Sequence, residues 1–247
     1  MKQLTTIFIL GFFWVTALAQ QETRMPLIGE TAPEMTVQTT HGELDFPEYF
    51  EGRWVILFSH PGAFTPICTS EFMAMQERIG EFDQLNCELI GLSTDGLNAQ
   101  YEWVRSIRDD IEFKGMKDVE ITFPIIADPD LEFAAAYGMI HPQISPDKTV
   151  RSVFYIDPAG TVRAIMYYPV SNGRSVDEMI RLLEALQVTD KYDVATPSDW
   201  TPGESVFIPP PHAGAKASKE YSKAMENDQC PAWYMCLKQL PQKKSQK

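Results

Sequence analysis

Short apolar stretches alternate along the middle of the chain with stretches whose apolar residues recur three or four positions apart. The first kind predicts buried strands, and these cover 54–59, 87–93, 122–127, 152–156 and 162–167. The second kind predicts helices that bury one face; the first begins between 66 and 69, and others lie near 98–109, 130–137 and 176–186. Strands and helices therefore alternate through most of the chain.

The last two predicted strands flank Asp157-Pro158-Ala159-Gly160, which is a hairpin turn signal. Two strands joined by a helix, followed by an antiparallel hairpin and a covering helix, imply a sheet with both parallel and antiparallel neighbours. The predicted fold class is α/β, a thioredoxin-like mixed sheet flanked by helices, in a domain that covers 26–188.

A C-terminal extension is predicted over 189–247, where the pattern changes. Prolines interrupt regular structure between 197 and 211, and a helix is predicted near 216–227. Four aromatic residues are too many for a free tail, so we expect them to pack on this chain or on a neighbouring one: Trp200, Phe207, Trp233 and Tyr234. The polar end of the chain, from about 238, is expected to be disordered.

The first 19 residues have the pattern of a secretory signal peptide. Lys2 precedes an apolar stretch, and Ala17-Leu18-Ala19 is a typical cleavage site. The apolar stretch is shorter than the roughly 20 residues that a membrane span needs, and no second candidate span follows. We therefore predict an exported protein, in the periplasm or secreted, with no membrane span in the mature chain. An uncleaved N-terminal anchor is the alternative.

Charge and residue spacing exclude several kinds of partner. Removal of Lys2 with the signal leaves 20 basic against 34 acidic residues, a net charge of −14. Such a chain is not expected to bind nucleic acid or anionic membranes. The four histidines are scattered and no C-x-x-C is present, so no metal site is predicted. No cofactor is predicted either.

One cysteine lies in a setting that favours reactivity. Residues 61–71 read P-G-A-F-T-P-I-C-T-S-E, which places Cys68 in the first turn of the helix that follows the strand 54–59. Unpaired backbone N–H groups and the positive end of the helix dipole favour a thiolate there, and the thiolate is the reactive form of cysteine. The alternative is a buried and inert side chain, but the strand, the turn and the helix start around Cys68 favour the reactive cysteine.

The neighbours of Cys68 suit a reaction with peroxide, which needs a thiolate, hydrogen-bonding groups for the two oxygens and a positive charge. Thr65 lies one helical turn before Cys68 and is a candidate for hydrogen bonding to peroxide; its structural alternative is the N-cap of the helix. Pro61 is a candidate to shield the pocket from water, or it only forms the turn.

Charged residues around this loop raise a conflict. Glu71 follows Cys68 by three residues and faces the same side of the helix, where its charge opposes ionisation of the thiol. A cation is therefore needed, and the candidates are Arg151 and Arg174, although most arginines are simply solvated. His60 is expected to be a structural hydrogen-bonding partner, because an ionised thiol needs no base.

The remaining cysteines divide into one core residue and one pair. Cys87 lies in the predicted strand 87–93, so we expect it to be buried and free. Cys230 and Cys236 are six residues apart. Three possibilities are open for this pair: a local disulfide, no role, or a resolving thiol for a sulfenic acid on Cys68.

The run Pro61-x-x-x-Thr65-x-x-Cys68 with Glu71 resembles the active-site loop of peroxiredoxins, the alkyl hydroperoxide reductase and thiol-specific antioxidant family. The resemblance covers about 26–236. In the extension, 193–197 and Trp200-x-Pro202-Gly203 resemble the one-cysteine-type subfamily, including archaeal members with a C-terminal resolving cysteine.

This resemblance implies a role for each residue of the loop. Cys68 would be the peroxidatic cysteine, Thr65 and Arg151 would orient the peroxide, and Pro61 would shield the sulfur. Glu71 and Arg174 would position Arg151, which answers the charge conflict. Cys236 of a partner subunit would resolve the sulfenic acid, in a homodimer or a ring of dimers.

The expected function is a thiol peroxidase that reduces hydrogen peroxide and alkyl hydroperoxides and is recycled by a thioredoxin-like protein or a small thiol. Gly62-Ala63 departs from the charged or bulky pair usual in this loop, and no G-x-S-x-G supports the lipase-type activity of mammalian relatives. Two other functions are carried as alternatives. Lack of C-x-x-C counts against thiol-disulfide exchange or redox sensing, and a holdase would act without Cys68.

Overall fold

The computed structural model describes residues 24–211, 219–227 and 229–241. Seven strands form one sheet and two more form a separate pair. The strands are β1 Met35–Thr39, β2 Gly42–Phe46, β3 Trp54–Ser59, β4 Cys87–Ser93, β5 Ile125–Ala127, β6 Arg151–Ile156, β7 Val162–Tyr168, β8 Val206–Ile208 and β9 Cys236–Lys238. The α-helices are α1 Pro66–Glu77, α2 Ile79–Gln84, α3 Leu97–Asp110, α4 Glu132–Ala136, α5 Val176–Tyr192 and α6 Lys219–Glu226.

The large sheet has the order β2-β1-β5-β4-β3-β6-β7 and mixed strand directions. The strands β3, β4 and β5 are parallel, β6 pairs antiparallel with β3, and β7 pairs antiparallel with β6. All six residues of β3 are buried, because both faces of the sheet are covered. Ile56 and Phe58 pack with α1, α2, α3 and α5, whereas Val55 and Leu57 pack with α4 and the β1–β2 hairpin. The predicted thioredoxin-like mixed α/β fold is confirmed.

Three features of the fold differ from the sequence prediction. The strand predicted over 122–127 is only β5, because Pro124 has no N–H to donate and the Thr122 N–H bonds to Gln76 Oε1 at 2.8 Å. The helix after Cys68 is divided at Arg78 into α1 and α2. The β1–β2 hairpin was not predicted, although its buried residues alternate with exposed ones as in a half-buried strand.

The extension packs partly against the main domain. Trp200 is buried in a cluster with Ala185, Val194 and Val206, so it packs on this chain. Trp233 and Tyr234 are 70% and 54% exposed, so the prediction that they pack holds only if another chain covers them. Strand β9 reaches Lys238, and Leu240 packs against the Trp200 cluster.

Two terminal predictions remain outside the described residues: the signal segment at 1–19 and the last part of the expected disordered tail, 242–247. Within the described ranges, no helix combines the length and the apolar character that crossing a bilayer requires.

Candidate active site

Cys68 lies in the first turn of α1, as predicted, and its side chain is fully buried. Thr65 occupies the N-cap position with an extended backbone and Pro66 is the first helical residue, where its missing N–H costs nothing. Cys68 has no disulfide partner. The sulfur therefore sits at the positive end of the helix in a site closed to bulk water.

Arg151 brings a positive charge to this sulfur. Its Nη1 lies 3.3 Å from Cys68 Sγ, and its Nε donates to the carbonyl of Val170 at 3.0 Å. Arg151 is the first residue of β6 and is buried. A guanidinium held in this way favours negative charge on sulfur and presents N–H donors to an oxygen bound there.

Glu71 is shared between two buried arginines. Its Oε2 accepts from Arg151 Nη1 and from Arg174 Nη2, both at 2.7 Å. Its Oε1 accepts from the backbone N and the Nε of Arg174, at 2.7 and 2.9 Å. The two cations and one anion carry a net positive charge, which a Cys68 thiolate would neutralise in this buried setting.

Two buried serines that the sequence analysis did not single out hold Arg174 in place. Ser59 Oγ lies 2.7 Å from Ser152 Oγ and donates to the carbonyl of Val150 at 2.6 Å. The carbonyls of Ser59 and Ser152 both accept from Arg174 Nη1 at 2.9 Å. The sequence signal that could have pointed to them is a serine at the end of β3 and another at the start of β6, in strands whose other residues are mostly apolar.

Thr65 points its hydroxyl back into the loop. Thr65 Oγ1 donates to the carbonyl of Gly62 at 3.0 Å and makes no capping hydrogen bond, although it occupies the N-cap position. Since that bond uses its proton, the lone pairs of Oγ1 remain available to accept from a ligand beside Cys68. Pro61 opens the same loop and is half-buried.

His60 does not make the side-chain hydrogen bonds that the sequence analysis expected. Its ring is fully buried, lies 4.8 Å from the Phe72 ring and 5.1 Å from the Trp103 ring, and has no partner for either nitrogen among the described residues. The aromatic neighbours occupy the space where a polar partner would lie. Burial, with repulsion from Arg174, lowers the pKa of His60 to about 3. The neutral ring is a packing group.

Replacement of His60 by phenylalanine is expected to reduce the loss of folding stability that accompanies a fall in pH below about 6.5. Between about pH 6.5 and 3 the unfolded chain binds a proton at His60 that the folded chain does not, so stability falls as pH falls, by about 1.4 kcal/mol per pH unit. Urea unfolding of both proteins at pH 7 and pH 5 measures the difference. An equal loss of stability in the two proteins would contradict a neutral buried ring.

The other three cysteines occupy different places. Cys87 is buried and free as predicted, and burial raises the pKa of its thiol. Cys230 and Cys236 form a disulfide in this structure, as in the first of the three possibilities for this pair, so a resolving role would need this bond to be reduced first. Cys236 packs with Ile208 and Tyr221, so the structure does not bring it into the cluster around Cys68. No group of metal-binding side chains occurs in the described parts of the chain.

Comparisons with known proteins agree with this geometry. The model of the AhpC/TSA family matches residues 28–165, and that of the C-terminal domain of 1-Cys peroxiredoxin matches residues 185–224. A curated protein named peroxiredoxin from Methanosarcina mazei is 47% identical over 219 residues, which cover 89% of this chain and all of the relative. One from Archaeoglobus fulgidus is 44% identical, over 87% of this chain and 99% of the relative.

Solved structures give the same result. A yeast mitochondrial 1-Cys peroxiredoxin superposes with a TM-score of 0.75 at 35% identity, covering 87% of this chain and 100% of that one. The peroxiredoxin 6 of Arenicola marina gives a TM-score of 0.73 at 31% identity, covering 89% and 99%. Together with the buried cysteine and its arginine, these similarities show that the chain belongs to the AhpC/TSA family and is a peroxiredoxin, a thiol peroxidase among the oxidoreductases.

Proposed function

We propose that the chain reduces hydrogen peroxide and alkyl hydroperoxides at Cys68. The observation that carries the proposal is the buried Arg151 guanidinium 3.3 Å from the Cys68 sulfur. The thiolate attacks one peroxide oxygen and the O–O bond breaks. The product on sulfur is a sulfenic acid, and the leaving oxygen takes a proton to become water or an alcohol.

Each neighbour has a defined part in this step. Arg151 donates to the peroxide oxygens and stabilises the charge that develops on the leaving oxygen. Thr65 Oγ1 accepts from the peroxide O–H, because its own proton is committed to Gly62. Glu71 and Arg174 hold Arg151 in place, and Pro61 limits the access of water.

No histidine acts as a base in this mechanism. His60 is neutral, lacks a polar partner among the described residues and packs between aromatic rings, whereas the thiolate is already the nucleophile. The charge balance of two arginines and one glutamate supports a resting thiolate at Cys68.

An apolar cleft beside the loop supports the reduction of alkyl as well as hydrogen peroxide. Its lining includes Phe64, Trp103, Ile111 and Phe113, together with Thr65, the proposed acceptor for the peroxide O–H. An alkyl group can lie against these side chains while its hydroperoxide reaches the loop.

Resolution is proposed to use Cys236 of a partner subunit. The Cys236 thiol attacks the sulfenic sulfur of Cys68, which forms a disulfide and releases water. Cys68 is fully buried, so the first turn of α1 must open for this step. The Cys230–Cys236 disulfide must first be reduced. Cys230 is half-buried and Cys236 is fully buried, so the reductant attacks Cys230 and releases Cys236.

The reductant and the location are proposed together. If the N-terminal segment exports the protein, the reductant is an exported thioredoxin-like protein or a small thiol, because cytosolic thioredoxin would be out of reach. The yeast relative is described as resolved through glutathione and thioredoxin systems, which supports both chemical classes. The exposed Trp233 and Tyr234 support a homodimer, or a ring of such dimers, in which another subunit covers them.

Replacement of Cys236 by serine is expected to leave one rapid round of peroxide reduction and then to stall turnover. The sulfenic acid still forms on Cys68, but the thiol assigned to resolve it is gone, so an added small thiol should restore turnover. Peroxide consumption with a thioredoxin-like reductant, before and after the addition of dithiothreitol, measures this. Cys87→Ala is the matched control, since Cys87 takes no part in the proposed cycle. Undiminished turnover of Cys236→Ser without a small thiol would contradict the assigned resolving residue.

A further inference from the structure

The loop before α1 contains a backbone conformation that needs outside support. Phe64 has a φ of 56°, in the left-handed backbone region that residues other than glycine rarely adopt. Its side chain is 61% exposed, so burial of the ring does not hold this conformation. The next residue is Thr65, the proposed acceptor for the peroxide O–H. The support must therefore come from hydrogen bonds to the neighbouring backbone.

Asp95 supplies the strongest of these bonds. Its Oδ2 accepts from the backbone N of Ala63 at 2.7 Å and from Ser93 Oγ at 3.0 Å, and its Oδ1 accepts from Lys148 Nζ at 3.0 Å. The side chain is 19% exposed. Burial opposes its ionisation, but the bonds from Ala63 and Lys148 outweigh burial and lower the pKa of Asp95. The acceptor for Ala63 is thus an ionised carboxylate at neutral pH.

The sheet topology places this carboxylate beside the loop. Strands β3 and β4 are parallel neighbours with Ser59 opposite Leu92, so the residues that follow each strand emerge side by side. The carboxylate packs against the backbone of the loop, since a Cβ at Gly62 would lie in contact with Asp95 Oδ2, at 3.4 Å. Asp95 therefore holds the Gly62-Ala63 segment of the loop.

Hydrogen bonds tie Asp95 to the sheet and to α3. Ser93 Oγ accepts from the backbone N of Asp95 and from Gln100 Nε2, both at 3.3 Å. Gln100 is buried and its Nε2 also donates to the carbonyl of Ile126 at 2.9 Å. The anchor therefore joins β4, α3 and β5 to the loop.

We propose that Asp95 is a positioning residue for peroxide reduction. It does not touch the peroxide. It holds Ala63, and through the strained Phe64 it sets the position of Thr65, three residues before Cys68. This inference rests on the proposed peroxide chemistry at Cys68.

The test compares two reactions of the same sulfur in wild type and Asp95→Asn. Oxidation of Cys68 by hydrogen peroxide requires the loop in its ordered position, whereas alkylation by iodoacetamide requires only that the buried thiolate become exposed when the loop opens. Loss of the charged acceptor is expected to lower the rate constant for peroxide about ten-fold. The rate constant for iodoacetamide is expected to stay the same or to rise. Asp109→Asn, which alters an exposed ion pair of α3, is the matched control and should change neither rate.

The loss of the Asp95 charge by itself predicts a different result. Removal of a negative charge near Cys68 would by itself favour the thiolate and raise both rates. A peroxide rate within two-fold of wild type, or an equal fall in both rates, would overturn the positioning role. If circular dichroism shows that Asp95→Asn does not fold, Ser93→Ala decides by the same two rates, with a smaller selective fall in the peroxide rate expected. Failure of the proposed function itself would be seen in wild type, whose Cys68 would then not react with peroxide.

Discussion

Replacement of Cys68 by serine is expected to leave no measurable peroxide turnover. A serine hydroxyl at this position is not ionised at neutral pH, so the attack on the O–O bond loses its nucleophile. Because serine has nearly the shape of cysteine, the folded structure should remain and the free energy of unfolding should change by no more than about 1 kcal/mol. Peroxide consumption with dithiothreitol as reductant measures the activity, and urea unfolding measures the stability.

Cys87→Ala provides the comparison for this experiment. Cys87 is the other free cysteine in the described residues and is buried in β4, so its loss should leave turnover intact. Full peroxidase activity in Cys68→Ser would place the chemistry at another residue. It would also return the non-enzymatic holdase to consideration, since a holdase would protect client proteins equally well with serine at this position.

Replacement of Arg151 by methionine is expected to lower the rate constant for peroxide about 100-fold. The variant removes the cation 3.3 Å from the sulfur and the N–H donors for the leaving oxygen, and loss of one such donor costs about 10²–10³ in rate in other enzymes. It also leaves Glu71 with Arg174 as its one remaining arginine partner among the described residues. Stopped-flow measurement of Cys68 oxidation gives the rate constant directly.

Two further variants separate the possible causes of that loss. Arg151→Lys keeps the charge but not the planar fork that bonds Val170, Glu71 and the sulfur together, so its rate constant should lie between those of wild type and the methionine variant. Arg105→Met removes an arginine of an exposed ion pair on α3 and should have no effect. A rate in Arg151→Met equal to that of wild type would remove Arg151 from the mechanism.

The position of Cys68 could be predicted because its signals are local. An apolar strand, a turn, Pro66 at the first helical position and the apolar spacing of α1 lie within about 25 residues. Arg151 and Arg174 were only candidates in the sequence, because their contacts with Cys68 and Glu71 span 83 and 103 residues. Their place depends on β6 lying next to β3 in the sheet, which the order of elements along the chain does not determine.

Asp95 and His60 show two further limits. Asp95 follows β4 in an ordinary loop, and only the parallel pairing of β3 with β4 brings it to Ala63, 32 residues away. His60 suggested polar contacts by residue type, but its surroundings are the rings of Phe72 and Trp103. In both cases the missing information was which side chains the sheet brings together.

The most direct measurement is mass spectrometry with peptide mapping of the reduced protein after one equivalent of hydrogen peroxide. The account predicts that the oxidation falls on Cys68, as a disulfide with Cys236 in wild type and as a trapped sulfenic acid in Cys236→Ser. A trapped sulfenic acid in wild type with Cys236 untouched would keep Cys68 as the reactive residue but assign resolution to an external thiol. Consumption of the peroxide with Cys68 unmodified would contradict the central claim.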